Sequence, residues 1–127
     1  MAQHNELGKQ GEDLAADFLA AKGYHVLDRN YRFLKSELDI VALDMERTEL
    51  VFVEVKARTR KDEMPESAVT PAKQQLIFRA ADAYIYERQM RTVPIRFDIV
   101  AVHLDNPAEP IFHHIEDAFR MDGTSFN

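Results

Sequence analysis

The run from Leu50 to Arg58 constrains this chain more than any other segment. It is rich in valine and carries Phe52, which favours a β-strand. Side chains two residues apart share a face of a strand. Val51, Val53, Val55 and Ala57 therefore point one way, and Leu50, Phe52, Glu54 and Lys56 the other. A strand apolar on both faces at its start belongs in the covered centre of a sheet. Glu54 and Lys56 are then the anomaly: they stand side by side, about 6.6 Å apart along the strand. Charge covered in this way is costly unless it is paired or bound to a metal.

The flanking sequence supplies the rest of such a sheet. Leu7, Gly11, Leu14, Ala15, Phe18 and Lys22 recur at helical spacing, with Leu19 beside them, and Gly23 ends that helix. His25 to Phe33 and Glu37 to Leu43 read as strands, joined by a turn at Leu34 to Ser36. Asp44 to Thr48 is a polar turn leading into the central strand. Arg60 to Ala68 reads as a polar loop. Thr70 and Pro71 mark a helix start, and Leu76, Ile77, Ala80, Ala81 and Tyr84 form its predicted buried stripe. Ile95 to His103 and Ile111 to Ile115 complete the strands, with a turn at Asn106 to Pro110 and a short helix expected over Glu116 to Arg120. The order α, β, β, β, α, β, β predicts an α/β fold, a mixed sheet flanked by helices. The first three strands are expected to be antiparallel neighbours, and the second helix permits a parallel crossover.

Composition narrows the function classes. At 127 residues the chain is expected to form one domain, with residues 1–5 and 121–127 frayed. With no cysteine, disulfides, thiolate zinc sites and cysteine nucleophiles are excluded. The start shows no apolar signal core, and no run approaches the roughly 20 apolar residues of a membrane helix, so a cytoplasmic protein with no membrane partner is expected. A net charge of −6 argues against a general nucleic-acid binder, yet Lys56, Arg58, Arg60 and Lys61 cluster with no acid among them.

The chemistry gathers around Glu54. A hairpin closing through Asp44 to Thr48 would bring Asp39 beside it, so that two carboxylates and Lys56 converge. Hard cations such as Mg²⁺ bind through one or two carboxylates plus waters and phosphate oxygens. Lys56 would orient a water or neutralise charge developing at phosphorus. The same three residues suit a plain cross-strand ion pair equally well. Glu12 lies at the shoulder of the first helix's apolar stripe and reaches towards the same cluster, or is simply a solvated residue near a helix start. Lys73 falls in the apolar stripe and first turn of the second helix, placed either to hold a phosphate or to snorkel into water. The five histidines read as structural or exposed, and no glycine-rich phosphate loop or Ser-His-Asp arrangement stands out.

Taken in order, Gly8-Lys9-Gln10-Gly11-Glu12, Asn30-Tyr31-Arg32, Glu37-Leu38-Asp39-Ile40, Val51 to Arg58, Ala68 to Lys73, and Arg96-Phe97-Asp98-Ile99-Val100 form a set of blocks that closely resembles the YraN-like family of small bacterial proteins. That family is similar to archaeal Holliday junction resolvases within the PD-(D/E)xK nuclease superfamily. The resemblance covers Leu7 to His103. It implies a restriction-endonuclease-like fold, with Asp39, Glu54 and the Val55 carbonyl binding Mg²⁺ or Mn²⁺, Lys56 as catalytic lysine and Glu12 as a further acidic site residue. The family's likeness to junction resolvases points to a DNA substrate of branched or structured form. Lys73, Arg58, Lys35 and Arg60 are the cations expected to contact that DNA. Relatives usually carry glycine where this chain has Ser36, which bears on the turn before Glu37.

Three functions are compatible with these residues: a metal-dependent DNA endonuclease, a nucleic-acid-binding module of nuclease ancestry without turnover, and a structural or interaction subunit. A symmetric branched substrate would suit a homodimer.

Overall fold

A computed structural model describes residues 2–59 and 69–121. Two helices and five strands follow in the expected order: α1 (Ala2–Ala21), β1 (Tyr24–Phe33), β2 (Ser36–Asp44), β3 (Glu49–Arg58), α2 (Pro71–Arg88), β4 (Ile95–His103) and β5 (Ile111–Phe119). The fold is mixed α/β, a five-stranded sheet in spatial order β1-β2-β3-β4-β5. Every pairing is antiparallel except β3 with β4, which run parallel from Leu50↔Ile95 to Arg58↔His103. The expected polar loop over Arg60 to Ala68 lies outside the described residues.

The alternation within β3 separates two cores. Leu50 and Phe52 pack with Ile77, Phe78, Ala80, Ala81 and Tyr84 of α2. Val51 and Val53 pack with Ala15 and Leu19 of α1. Each helix therefore covers one face, and both faces of β3 are buried. Gly11 lets α1 lie close against β3: a Cβ there would sit 2.7 Å from the Cβ of Ala57. That contact carries the neighbouring Glu12 down to the sheet.

The turns follow local chemistry. Gly23, at φ 96°, ends α1 in a backbone region that costs glycine nothing. Asp44 Oδ1 accepts the N–H groups of Glu46 and Arg47, which builds the β2–β3 turn. Thr70 caps α2, its hydroxyl accepting from the Lys73 N–H at 3.2 Å, with Pro71 directly behind it. In the β1–β2 turn the left-handed residue is Leu34, at φ 56°, and Ser36 opens β2 as a buried strand residue. Ser36 needs no positive φ, because the turn places it at Leu34.

Two expectations need correction. Leu76 is exposed, and Phe78 takes its place in the buried stripe of α2, set between Phe97 and Phe119. The segment Glu116 to Arg120 does not form a helix: β5 runs on to Phe119. Asp117 adopts φ 55° where the β4–β5 register shifts, and this irregularity turns Ala118 and Phe119 into the core. Pairing with β4 outweighs the local helical pattern of this segment.

Candidate functional site

The paired register of β2 and β3 runs from Asp44↔Glu49 to Ile40↔Val53. At the next position the side chain of Asp39 turns towards β3, and its Oδ2 accepts the Val55 N–H at 2.8 Å. On the other side of β2, Asn30 of β1 stands opposite Asp39 with φ 55°, a conformation asparagine tolerates better than most residues. Packing switches face across this point. Leu38 belongs to the core under α2, and Ile40 to the core under α1. The irregular backbone thus aims Asp39 at the β3 residues two rows below the apolar centre.

Glu54 meets it there. Its side chain is 11% exposed, and its charge acts on Asp39. Burial and the nearby Glu54 charge push Asp39 up to about 7, against the pull of the Val55 N–H and Lys73. Burial also raises Glu54, opposed by the charges of Lys73 and Lys56. A buried acid pair raised above the normal carboxylate range is short of positive charge.

The surrounding ionic groups are placed as follows. Lys73 Nζ of α2 is 3.9 Å from Glu54 Oε2. Lys56 acts electrostatically on Glu54 from the same strand. Glu12 of α1 is raised by burial and then by the Asp39 charge, and lowered by Arg29, whose Nη2 lies 3.5 Å from Glu12 Oε1 and 2.7 Å from Asp13 Oδ1. Glu37 adds negative charge felt by both Glu12 and Glu54. The cluster thus brings together Glu12, Asp39, Glu54, Lys56 and Lys73. Of the other expected cations, Arg58 lies at the end of β3 with Nη1 bonded to the Ala57 carbonyl, and Lys35 is in the β1–β2 turn beside Leu76 and Arg79. Arg60 lies outside the described residues. Arg29, which anchors Glu12, went unnoticed in the sequence, because no spacing links it to a helix residue 17 positions earlier.

The donor set suits a hard divalent cation. Among the described residues no three His, Cys, Asp or Glu side chains converge as a complete cage. Two carboxylates match a small cation that completes its shell with waters, the usual manner of Mg²⁺. A dication between them would offset the burial penalty and the mutual repulsion of both acids.

A second polar cluster, on the α1 face, has a different character. Arg96 is 5% exposed and bonds both oxygens of Asp98, with Asp44, Glu49 and the Tyr24 hydroxyl also on its guanidinium. Asp98 also bonds His114 Nε2 at 2.8 Å and accepts the Asp117 N–H. Burial pushes Asp98 up, but these hydrogen bonds more than offset it and hold the group below its usual range. Every oxygen has a partner, which marks a structural tie between β2, β4 and β5. His114 is accordingly structural, as expected.

Among the described residues no helix is long and apolar enough to cross a membrane. A family model described as "Uncharacterised protein family UPF0102" matches residues 11–102. A UPF0102 protein of Flavobacterium psychrophilum is 45% identical over 120 residues, spanning 94% of this chain and 98% of the relative. One from Geobacter sulfurreducens is 44% identical over 122 residues, spanning 94% of each. One from Chlorobaculum parvum reaches 50% over 97 residues, spanning 76% of this chain and 74% of the relative.

Proposed function

The chain belongs to the uncharacterised protein family UPF0102, and from the chemistry of its site we propose that it is a Mg²⁺- or Mn²⁺-dependent endonuclease acting on branched or otherwise structured DNA. The observation that carries this reading is the buried acid pair Asp39 and Glu54, brought together where β2 and β3 part and flanked by Lys56 and Lys73. The resemblance of the same residues to the Asp…Glu-x-Lys core of the PD-(D/E)xK nucleases supports it.

Asp39 and Glu54 would hold the cation, with the Val55 carbonyl as the backbone ligand the resemblance implies. A bound dication would supply an acidified water and charge neutralisation at phosphorus. Lys56, beside Glu54 on β3, orients the attacking water and stabilises negative charge in the transition state. Lys73 sits in the first turn of α2, where the helix dipole also favours an anion, and fixes the phosphate against the acids. Glu12, held by Arg29, closes the pair on the α1 side and sets the charge the site presents to a cation. The phosphate backbone of DNA meets Lys73 and Arg58 along this edge, while the net charge of −6 limits binding elsewhere.

The test is cleavage of labelled four-way junction, flap and linear duplex in Mg²⁺ and in Mn²⁺. Wild type should cut the branched substrates, and Asp39→Asn and Glu54→Gln should each lose activity by several orders of magnitude. Equal cleavage by Asp39→Asn, or none of any substrate by wild type, removes the proposal.

A further inference from the structure

The most exposed large apolar side chain in the described structure is Leu34, 84% accessible at the tip of the β1–β2 hairpin. Its backbone sits at φ 56°, a region that costs a non-glycine residue free energy. A strained turn position that presents leucine to water gives nothing to the fold, since glycine would serve the turn better. Phe33 beside it is 38% exposed, and Leu76 of α2 is exposed as well. Phe33, Leu34 and Leu76 line one cavity of about 380 Å³ together with Lys35 and Arg79. That size is within the range of sites that take small planar groups.

Its place relative to the acids gives it meaning. Ser36 to Asp39 is three strand residues, about 10 Å along β2. Leu76 follows Lys73 by one turn of α2, about 5 Å, and Lys73 reaches Glu54. The apolar tip, the phosphate-holding lysine and the acid pair thus follow one another along the same side of the sheet. The local charge is mixed but directional. Arg32 is paired with Glu37 at 3.6 Å, and Asp82 and Glu87 bound the patch beyond Arg79. Lys35 and Arg79 flank the apolar residues directly. Apolar and aromatic surface between cations, beside a phosphate-directed lysine, is the pattern that takes an unstacked base with its neighbouring phosphates.

We propose that Phe33, Leu34 and Leu76 form a base-stacking subsite that holds an unpaired nucleobase of the DNA substrate next to the acid pair. The inference rests on the nuclease reading for its substrate, and it narrows that substrate to DNA with unpaired or splayed nucleotides. Stacking on the subsite lets the enzyme tell a junction, gap or fork from continuous duplex, whose bases are not available.

Binding of fluorescent DNA tests it without cleavage, using Ca²⁺ in place of Mg²⁺. The probes are a continuous duplex and the same duplex with a short single-stranded gap carrying 2-aminopurine. Wild type should prefer the gapped probe by roughly tenfold, the worth of one stacked base, and should change the 2-aminopurine emission. Leu34→Gly and Phe33→Ser should abolish the preference and the emission change while leaving duplex affinity within about twofold. Leu34→Gly should melt no lower than wild type, which separates lost binding from lost folding. Retained preference in both variants, or equal loss on both probes, overturns the proposal. So does a wild-type dimer that Leu34→Gly dissociates, since a second copy would then cover the patch. The two readings fail separately. Cleavage lost in Asp39→Asn but unaltered in the hairpin variants ends the subsite alone. Base stacking lost in the hairpin variants, with no metal-dependent cleavage, ends the nuclease alone.

Discussion

At the scale of single residues, the proposed function gives the two lysines at the acid pair separable tasks. Lys56 shares the strand and face of Glu54, so under the proposed function it would stand where charge develops during hydrolysis. Lys73 approaches Glu54 from α2 at 3.9 Å, with its side chain 44% exposed, which leaves it within reach of a phosphate. Lys56→Met should therefore lower kcat by roughly 10²–10³-fold with little change in KM. Lys73→Met should chiefly raise KM and reduce the salt dependence of DNA binding. Steady-state kinetics on a junction substrate at two ionic strengths would decide. Equal losses in kcat for both variants would contradict the division. Arg96 offers a contrast, because its partners need it for the fold. Arg96→Met leaves Asp98, fully buried, and Asp44 without their cation, which should cost about 3–5 kcal/mol in urea unfolding.

At the scale of elements, the approach of α1 to β3 sets the geometry that brings Glu12 near Asp39. The alanine methyl at Gly11 would collide with Ala57, whose Cβ has no rotamer to give. Gly8, on the same helix, has open space around it. Gly8→Ala should stabilise the protein by about 0.5–1 kcal/mol through helix propensity. Gly11→Ala should destabilise it by about 1–2 kcal/mol, as overpacking exceeds the same gain. Thermal melts of the two variants shifting in the same direction would refute this account. These elements also mark what the sequence revealed. The α1, β3, α2 and β4 segments carry strong periodicity with clear stops at Gly23 and Thr70-Pro71, and their order was legible throughout. The pair Asp39 and Glu54 was legible because a charge in a two-faced apolar strand asks for a partner. The end of β5 was not, since its pairing past Ile115 depends on a bulge against β4. Leu76 and Phe78 exchange roles because the buried arc of α2 is set by Phe97 and Phe119, which are remote in sequence. The Arg96 network escaped notice for the same reason: its members come from β1, β2, β3, β4 and β5.

At the scale of the whole molecule, the two faces of the sheet respond to pH with opposite sign. On the α1 face Asp98 and Asp44 titrate below their usual range, because the gains from Arg96, His114 and backbone N–H groups exceed the penalty of burial. Unfolding lets them bind protons more readily, so their contribution is present above about pH 4 and is lost as pH falls through their folded values. At the acid pair the native state binds protons more tightly than the unfolded chain. Burial raises both acids, Asp39 to about 7. Their contribution is therefore most favourable at low pH, and stability declines as pH rises from about 4 towards 7. Without a divalent cation, the protein should be most stable near pH 4–5 and lose on the order of 2 kcal/mol by pH 7.5. Mn²⁺ or Mg²⁺ compensates the same negative charge, so it should restore stability at pH 7.5 and do little at pH 5, where it competes with protons. Asp39→Asn removes the coupled ionisation. It should flatten the decline between pH 5 and 7.5 and abolish the stabilisation by metal. Urea unfolding across this range, in EDTA and in Mn²⁺, measures all three effects. Wild-type stability that is level or rising between pH 5 and 7.5 in EDTA would mean that the pair is not short of positive charge, and a cation would then have no reason to bind there.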